Sequence, residues 1–275
     1  MRIDLAYSPC PNDTALFGPL ACGGLAWPGV ELKPHLHDIE TLNRHAQAGR
    51  YDITKVSVAG YLQNRERYRL LGVGAALGFG CGPLLVSALP RRPDLSKCRI
   101  LFPGRLTTAY LLFRLLAPES PAANHGFAPY NEIAPAVAAG TFDCGVIIHE
   151  TRFTYERQGL RQLMDLGQTW EALTGLPVPL GCCVIRRDLE PSLGEAFTRL
   201  VRLGLDQGEA HARQVAGYVR RHATELEPAV IDRHIRLYLN DHTRDLGETG
   251  HQAIEALARR AGSAGLLNGA AEGPG

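Results

Sequence analysis

Apolar and polar positions along the chain alternate in short runs at first and repeat at helical spacing near the end. Residues 3–7 alternate weakly and read as a strand. The Ser8-Pro9-Cys10-Pro11-Asn12-Asp13 that follows cannot extend it, because two prolines remove ladder donors. Asn12 or Asp13 is then expected to cap a helix over 14–22. A strand at 30–35, a helix at 39–48 closed by Gly49, a strand at 52–57 and a helix at 58–65 continue the series. This strand–loop–helix repeat predicts a parallel sheet covered by helices, with ligands expected at the loops after the strands. Ser8–Thr14 and Thr54–Ser57 are both such loops.

Residues 82–88 read as a strand leaving a first lobe, and the polar stretch 90–97 as a connection. A second α/β series then begins with a strand at 98–102, the loop 103–109 and a helix at 110–116. Irregular chain follows to 128, then a short helix at 133–139 closed by Gly140. Residues 142–148 are almost wholly apolar, as in a strand buried on both faces. Residues 178–186 read as a strand returning to the first lobe. Helical periodicity fills 191–205, 210–222, 229–239 and 246–261, and a glycine-rich tail is expected to fray. The predicted architecture is α/β and two-lobed, with 1–87 plus 181–275 in one lobe, 88–180 in the other, and a central ligand cleft.

Composition changes this picture little. The 275 residues are 45% hydrophobic and 21% charged, with a net charge of +1, so disorder and a global nucleic-acid or membrane surface are poor readings. No run approaches the length of a transmembrane helix. The N-terminus does not resemble a signal peptide, so a cytoplasmic protein is expected. The seven cysteines form no CxxC pair and are expected to be reduced. The glycine-rich 72–82 matches neither a dinucleotide nor a P-loop fingerprint. The histidines lack metal-ligand spacing, and HETRF is not HExxH, so no metal is expected.

His149 leads the candidate chemistry. It ends the apolar run 144–148, where an imidazole would be partly desolvated and suited to act as a base. The alternative is a hydrogen-bonded structural His-Glu pair. Thr107, Thr108 and Ala109 open a helix and could cradle a carboxylate, or Thr107 could simply cap the helix. Lys55, Val56 and Ser57 hold the equivalent place in the first lobe, as anion partners or as a surface lysine beside a cap. Arg105 and Arg152 are further carboxylate partners or solvated charges. Cys10 could pair with His149 as a nucleophile, or be a small buried hydrophobe.

Seven segments occur together and in order: SPCPNDT (8–14), DIETLNR (38–44), TKVS (54–57), GPLLV (82–86), PGRLTTAYLL (103–112), GVIIHETRFTY (145–155) and TGLPVPLG (174–181). In this combination the chain resembles the 1,4-dihydroxy-6-naphthoate synthases of the futalosine route to menaquinone. The resemblance runs from residue 1 to about 260. It departs at Ala15-Leu16-Phe17, in a slightly long 117–129 and in the tail. It implies a fold of the type II periplasmic-binding-protein kind. It also implies a lyase that cleaves cyclic dehypoxanthine futalosine without a cofactor, releasing 1,4-dihydroxy-6-naphthoate and a sugar-derived fragment. The family's catalytic histidine falls on His149. Its substrate contacts fall on Lys55, Val56 and Ser57, and on Thr108 and Ala109 with Thr107 adjacent. The implied partner is a small molecule, with no nucleic acid and no membrane, and the assembly is a monomer or homodimer. The competing expectations are a chorismate dehydratase of the same pathway, a non-catalytic binding protein of the same fold, and a Cys10-dependent hydrolase.

Overall fold

A computed structural model describes residues 1–224 and 227–267. In chain order the elements begin β1 (Arg2–Tyr7), α1 (Pro11–Ala21), β2 (Glu31–Leu36), α2 (Ile39–Gln47), β3 (Ile53–Ser57), α3 (Val58–Gln63), β4 (Tyr68–Leu70), β5 (Ala76–Gly78) and β6 (Leu84–Ser87). They continue with β7 (Ile100–Phe102), α4 (Thr108–Leu116), β8 (His125–Phe127), α5 (Tyr130–Ala138), β9 (Cys144–Ile147), β10 (Arg161–Asp165), α6 (Leu166–Thr174) and β11 (Val178–Arg186). The chain closes with α7 (Pro191–Asp206), α8 (Gly208–His222), α9 (Pro228–Tyr238), α10 (Asp241–Arg244) and α11 (Gly247–Ser263). The expected frayed tail lies, from residue 268 on, outside the described residues.

Two compact units result: Met1–Gly78 with Leu180–Gly247, and Phe79–Pro179 with the chain from Glu248 onward. The first carries a six-stranded sheet in the order β2-β1-β3-β11-β4, with β5 also paired to β11. β1 runs parallel to β2 and β3, whereas β11 runs antiparallel to β3 and β4. Ile3, Leu5 and Tyr7 of β1 pack with Phe17, Phe197 and Val201 on one face. Ala6 turns to the other face, against Leu42 and Tyr51. A strand with helices on both sides alternates only weakly between apolar and polar residues, because both of its faces are core.

The second unit carries a five-stranded sheet, β10-β6-β9-β7-β8. Its strands also serve two cores. Leu85, Ile100, Phe102, Cys144 and Val146 meet Tyr110 and Phe113 of α4. Leu84, Val86, Leu101 and Ile147 meet Ile133, Ala134 and Val137 of α5. Burying each such side chain stabilises the fold by about 1.5–3 kcal/mol. Gly145 lets α5 approach β9, since a Cβ there would lie 2.5 Å from Ile133 Cγ2.

The structure corrects several expectations. β6 pairs with β9 and β10, so residues 79–87 belong to the second unit rather than the first. Residues from Glu248 on, which hold nearly all of α11, also group with the second unit. The first helix begins at Pro11 with Cys10 as its N-cap, not at Asn12 or Asp13. Proline suits that position because the N–H it lacks would have no helical partner there. β8 is a three-residue strand inside a stretch read as irregular, and β4 and β5 are three-residue strands where no strand was expected, all too short to show a period. β10 and α6 fill 161–174, which carried no expectation. Among the described residues, no helix is long and apolar enough to cross a membrane.

Candidate functional site

In the first unit, the SPCPNDT and TKVS segments meet. Lys55 is 3% exposed, on the central strand β3. Its Nζ lies 3.3 Å from Asp13 Oδ1 and donates to the Gly74 carbonyl at 2.6 Å. Gly74 sits at φ 77°, and a Cβ there would press on Cys183 Cβ at 3.0 Å, so the turn that presents this carbonyl needs glycine. Lys55 is therefore neither a surface lysine nor a bare cation. Its charge is balanced by Asp13, while an ammonium has three donors and these two contacts use two of them.

Asp13 is itself surrounded by donors. Its Oδ2 accepts from the Ser8 hydroxyl at 2.8 Å and the Ser8 N–H at 3.2 Å. Its Oδ1 accepts from the Asn12 amide at 3.0 Å, and Asn12 Oδ1 lies 2.9 Å from Nε2 of the fully buried His234 on α9. Ser57 caps α3 through the Gly60 N–H at 3.0 Å, and its own N–H is held by Asn43 Oδ1 at 2.9 Å. Val56 is buried in β3.

In the second unit, Thr107 caps α4. Its hydroxyl accepts from the Tyr110 N–H at 3.2 Å and donates to the Gly104 carbonyl at 2.8 Å. Thr108 and Ala109 form the first turn behind it, both buried. Arg105 lies over the Phe127 ring at 4.6 Å. Arg152, expected as a carboxylate partner or a solvated charge, is largely covered: it pairs with Asp165 at 3.3 Å and donates to the Gly80 carbonyl.

His149 follows β9 and is half-buried. Among the described residues it is the one non-glycine residue with positive φ, at 56°. Such a backbone costs on the order of 1–3 kcal/mol, persists only where its surroundings hold it, and clusters at functional sites. The surroundings here include Tyr130 of α5, whose ring stands edge-on to the imidazole with centroids 4.8 Å apart. The Tyr130 hydroxyl donates to Oε1 of buried Glu150 at 3.1 Å. The histidine and its neighbouring glutamate are thus both braced by one tyrosine. The sequence marked His149 and Glu150 by adjacency. Tyr130 lies 19 positions before His149 and carried no signal.

The thiols offer little nucleophilicity. Burial pushes Cys81, Cys144 and Cys183 up to about 12, and Cys182 higher still. Cys10 is buried at the start of α1.

Comparison with known proteins adds to this geometry. A family model described as menaquinone biosynthesis matches residues 3–263. A protein of Thermus thermophilus named 1,4-dihydroxy-6-naphtoate synthase is 46% identical over 95% of this chain and 94% of its own. One of the same name from Streptomyces coelicolor is 43% identical over 96% and 94%. Among solved structures, protein AF1704 of Archaeoglobus fulgidus superposes with a TM-score of 0.88 at 32% identity, covering 96% of this chain and 98% of its own. The alkanesulfonate-binding protein SsuA of Xanthomonas axonopodis pv. citri, bound to MOPS, gives 0.70 at 17% identity over 97% and 94%, a likeness of fold alone.

Proposed function

The chain belongs to the menaquinone biosynthesis family, and from that premise we propose that it is a 1,4-dihydroxy-6-naphthoate synthase, a carbon–carbon lyase that converts cyclic dehypoxanthine futalosine to 1,4-dihydroxy-6-naphthoate. The observation that carries the activity is the near-full-length identity, 46% and 43%, to two relatives named for that reaction. The enzyme acts in the cytoplasm on a small molecule, as a monomer or homodimer, without a cofactor.

His149 is the proton acceptor. Its neutral imidazole takes a proton from the cyclised substrate, the electrons left behind drive an elimination, and aromatisation of the product supplies driving force. General-base catalysis of this kind contributes about 10²–10⁴-fold. The left-handed backbone at His149 and its bracing by Tyr130 support this role, because a base must be held in one orientation toward the proton it takes. Lys55, Val56, Ser57, Thr107, Thr108 and Ala109 contact the substrate and orient it. The remaining donor of the Lys55 ammonium suits a substrate oxygen, and the backbone N–H groups at the start of α4 suit a carboxylate.

Incubation with cyclic dehypoxanthine futalosine, followed by mass spectrometry, is the test. The expected product is 1,4-dihydroxy-6-naphthoate. Recovery of the compound unchanged, or loss of water from chorismate supplied in its place, would overturn the assignment in favour of a binding protein or a dehydratase.

A further inference from the structure

The SPCPNDT segment takes no part in the chemistry above, yet its polar side chains are buried and joined in one line. His234 Nε2, Asn12, Asp13 and Lys55 Nζ follow one another at 2.9, 3.0 and 3.3 Å. We propose that Asp13 is a positioning residue for Lys55, and that His234, acting through Asn12, sets the orientation in which Asp13 holds the Lys55 ammonium toward the substrate. The inference rests on the reading of Lys55 as a substrate contact.

The donor and acceptor roles follow from the chemistry of each group. The Asp13 carboxylate accepts from Asn12 Nδ2, so the amide of Asn12 must present its carbonyl oxygen to the other side. That oxygen accepts, so Nε2 of His234 carries the proton. An Asn12 side chain turned over would aim a carbonyl at a carboxylate and an amide at an N–H, and both contacts would be lost. Asp13 therefore fixes the direction of the amide, and His234 holds that amide in place from a helix remote in sequence. Ser8 secures the second carboxylate oxygen with two donors. Together they leave Asp13 one geometry in which to meet Lys55.

The ionisable groups facing Lys55 are Asp13 from α1 and the thiols of Cys182 and Cys183 from β11, which burial holds in the protonated form. Asp13 thus supplies the charge that balances a buried ammonium.

The experiment uses the full chain with carbon-13-labelled lysine. Lys33, Lys55 and Lys97 are the three lysines, so each side-chain signal can be assigned by single substitution. In wild type the Lys55 side-chain signal is expected to report the pair with Asp13. In Asp13→Asn, which keeps the shape but gives up one acceptor oxygen and the charge, that signal is expected to move to a different chemical shift. KM for cyclic dehypoxanthine futalosine should rise about tenfold or more, with kcat changed far less. His234→Leu should raise KM several-fold, and His234→Gln, which restores an N–H donor, should return it toward wild type. An unmoved Lys55 signal in Asp13→Asn, or a wild-type KM in both Asp13→Asn and His234→Leu, would overturn the proposal. If Asp13→Asn does not fold, the leucine and glutamine pair at His234 decides. If wild type itself does not turn over the compound, the proposed activity fails, and the lysine signal, which needs no substrate, decides the coupling.

Discussion

Two histidines of the second unit each sit beside a tyrosine, and the tyrosine does a different thing for each. At His125 the ring is tied at both nitrogens, with the Tyr110 hydroxyl 3.2 Å from Nδ1 and the Ser120 hydroxyl 2.9 Å from Nε2. Arg114 donates to the Tyr110 oxygen at 3.2 Å, an arrangement that favours the Tyr110 proton on Nδ1 and Nε2–H toward Ser120. The ring is further walled by Phe102 and Phe113. At His149 the tyrosine meets the imidazole edge-on and gives its hydroxyl to Glu150, while the backbone is held left-handed. The Ser120–His125 pair looks like the start of a nucleophilic dyad, but in that favoured arrangement the serine oxygen accepts, and His125 does not deprotonate it. Proximity of residue types is therefore a weaker guide to chemistry than the direction of each proton.

The largest effect expected from this contrast is at His149. His149→Asn, which tolerates a positive φ, and His149→Ala should each lower turnover of cyclic dehypoxanthine futalosine by about 10²–10⁴-fold, with circular dichroism unchanged. Near-normal turnover in a folded variant would break the comparison, since His149 would then be only a strained turn.

The converse holds at His125. His125→Leu should leave kcat near wild type and cost stability instead, about 1–3 kcal/mol by urea unfolding, because Tyr110 and Ser120 lose partners in a half-buried site. A collapse of kcat with unchanged stability would invert the two roles.

The same contrast marks what could be read from sequence. Long apolar runs and helical periodicity were legible, so β11 falls on its expected span of 178–186 and α7, α8, α9 and α11 fall within a residue or two of theirs, whereas the four-residue α10 had no expectation. His149 was legible because it ends an apolar run. Tyr130 and His234 were not, because each acts on residues far away in the chain, nor was the His125 cluster, whose residue types are common in cores. Asp13 was read as a helix cap, the ordinary use of Asp after a loop. The structure places it inside α1, where a buried lysine from β3 decides its role. Short strands such as β4 and β5 form because β11 offers them a ladder, a cause no local pattern contains.

A smaller effect is expected from pH. Burial, then the nearby Arg114 and Arg105, push the His125 imidazole down to about 4. The sign follows from the two end states. Above about 6.5, the ordinary value, both folded and unfolded chains are neutral there. Between 6.5 and 4 the unfolded chain takes up a proton that the folded chain refuses, so stability falls as pH falls. Below about 4 the folded chain protonates too and the loss levels off. Urea unfolding across this window should show the decline in wild type and less of it in His125→Gln, which cannot titrate. An equal decline in both would remove His125 as its source.

The smallest effect separates the causes of that shift. Arg114→Met removes a positive charge near His125 and the N–H that orients the Tyr110 hydroxyl, but leaves the burial. Since burial is the larger cause, the His125 titration should move upward only part of the way to its ordinary value, and the acid-sensitive window should narrow from its lower edge. Nitrogen-15 NMR of the histidines reads both consequences, the titration and the tautomer. With Arg114 gone, Tyr110 is free to accept instead of donate, so the proton on His125 is no longer bound to Nε2 and some Nδ1–H form should appear. A ring that keeps its Nε2–H form and its wild-type titration would show that the aromatic wall alone, without the arginine, makes His125 inert.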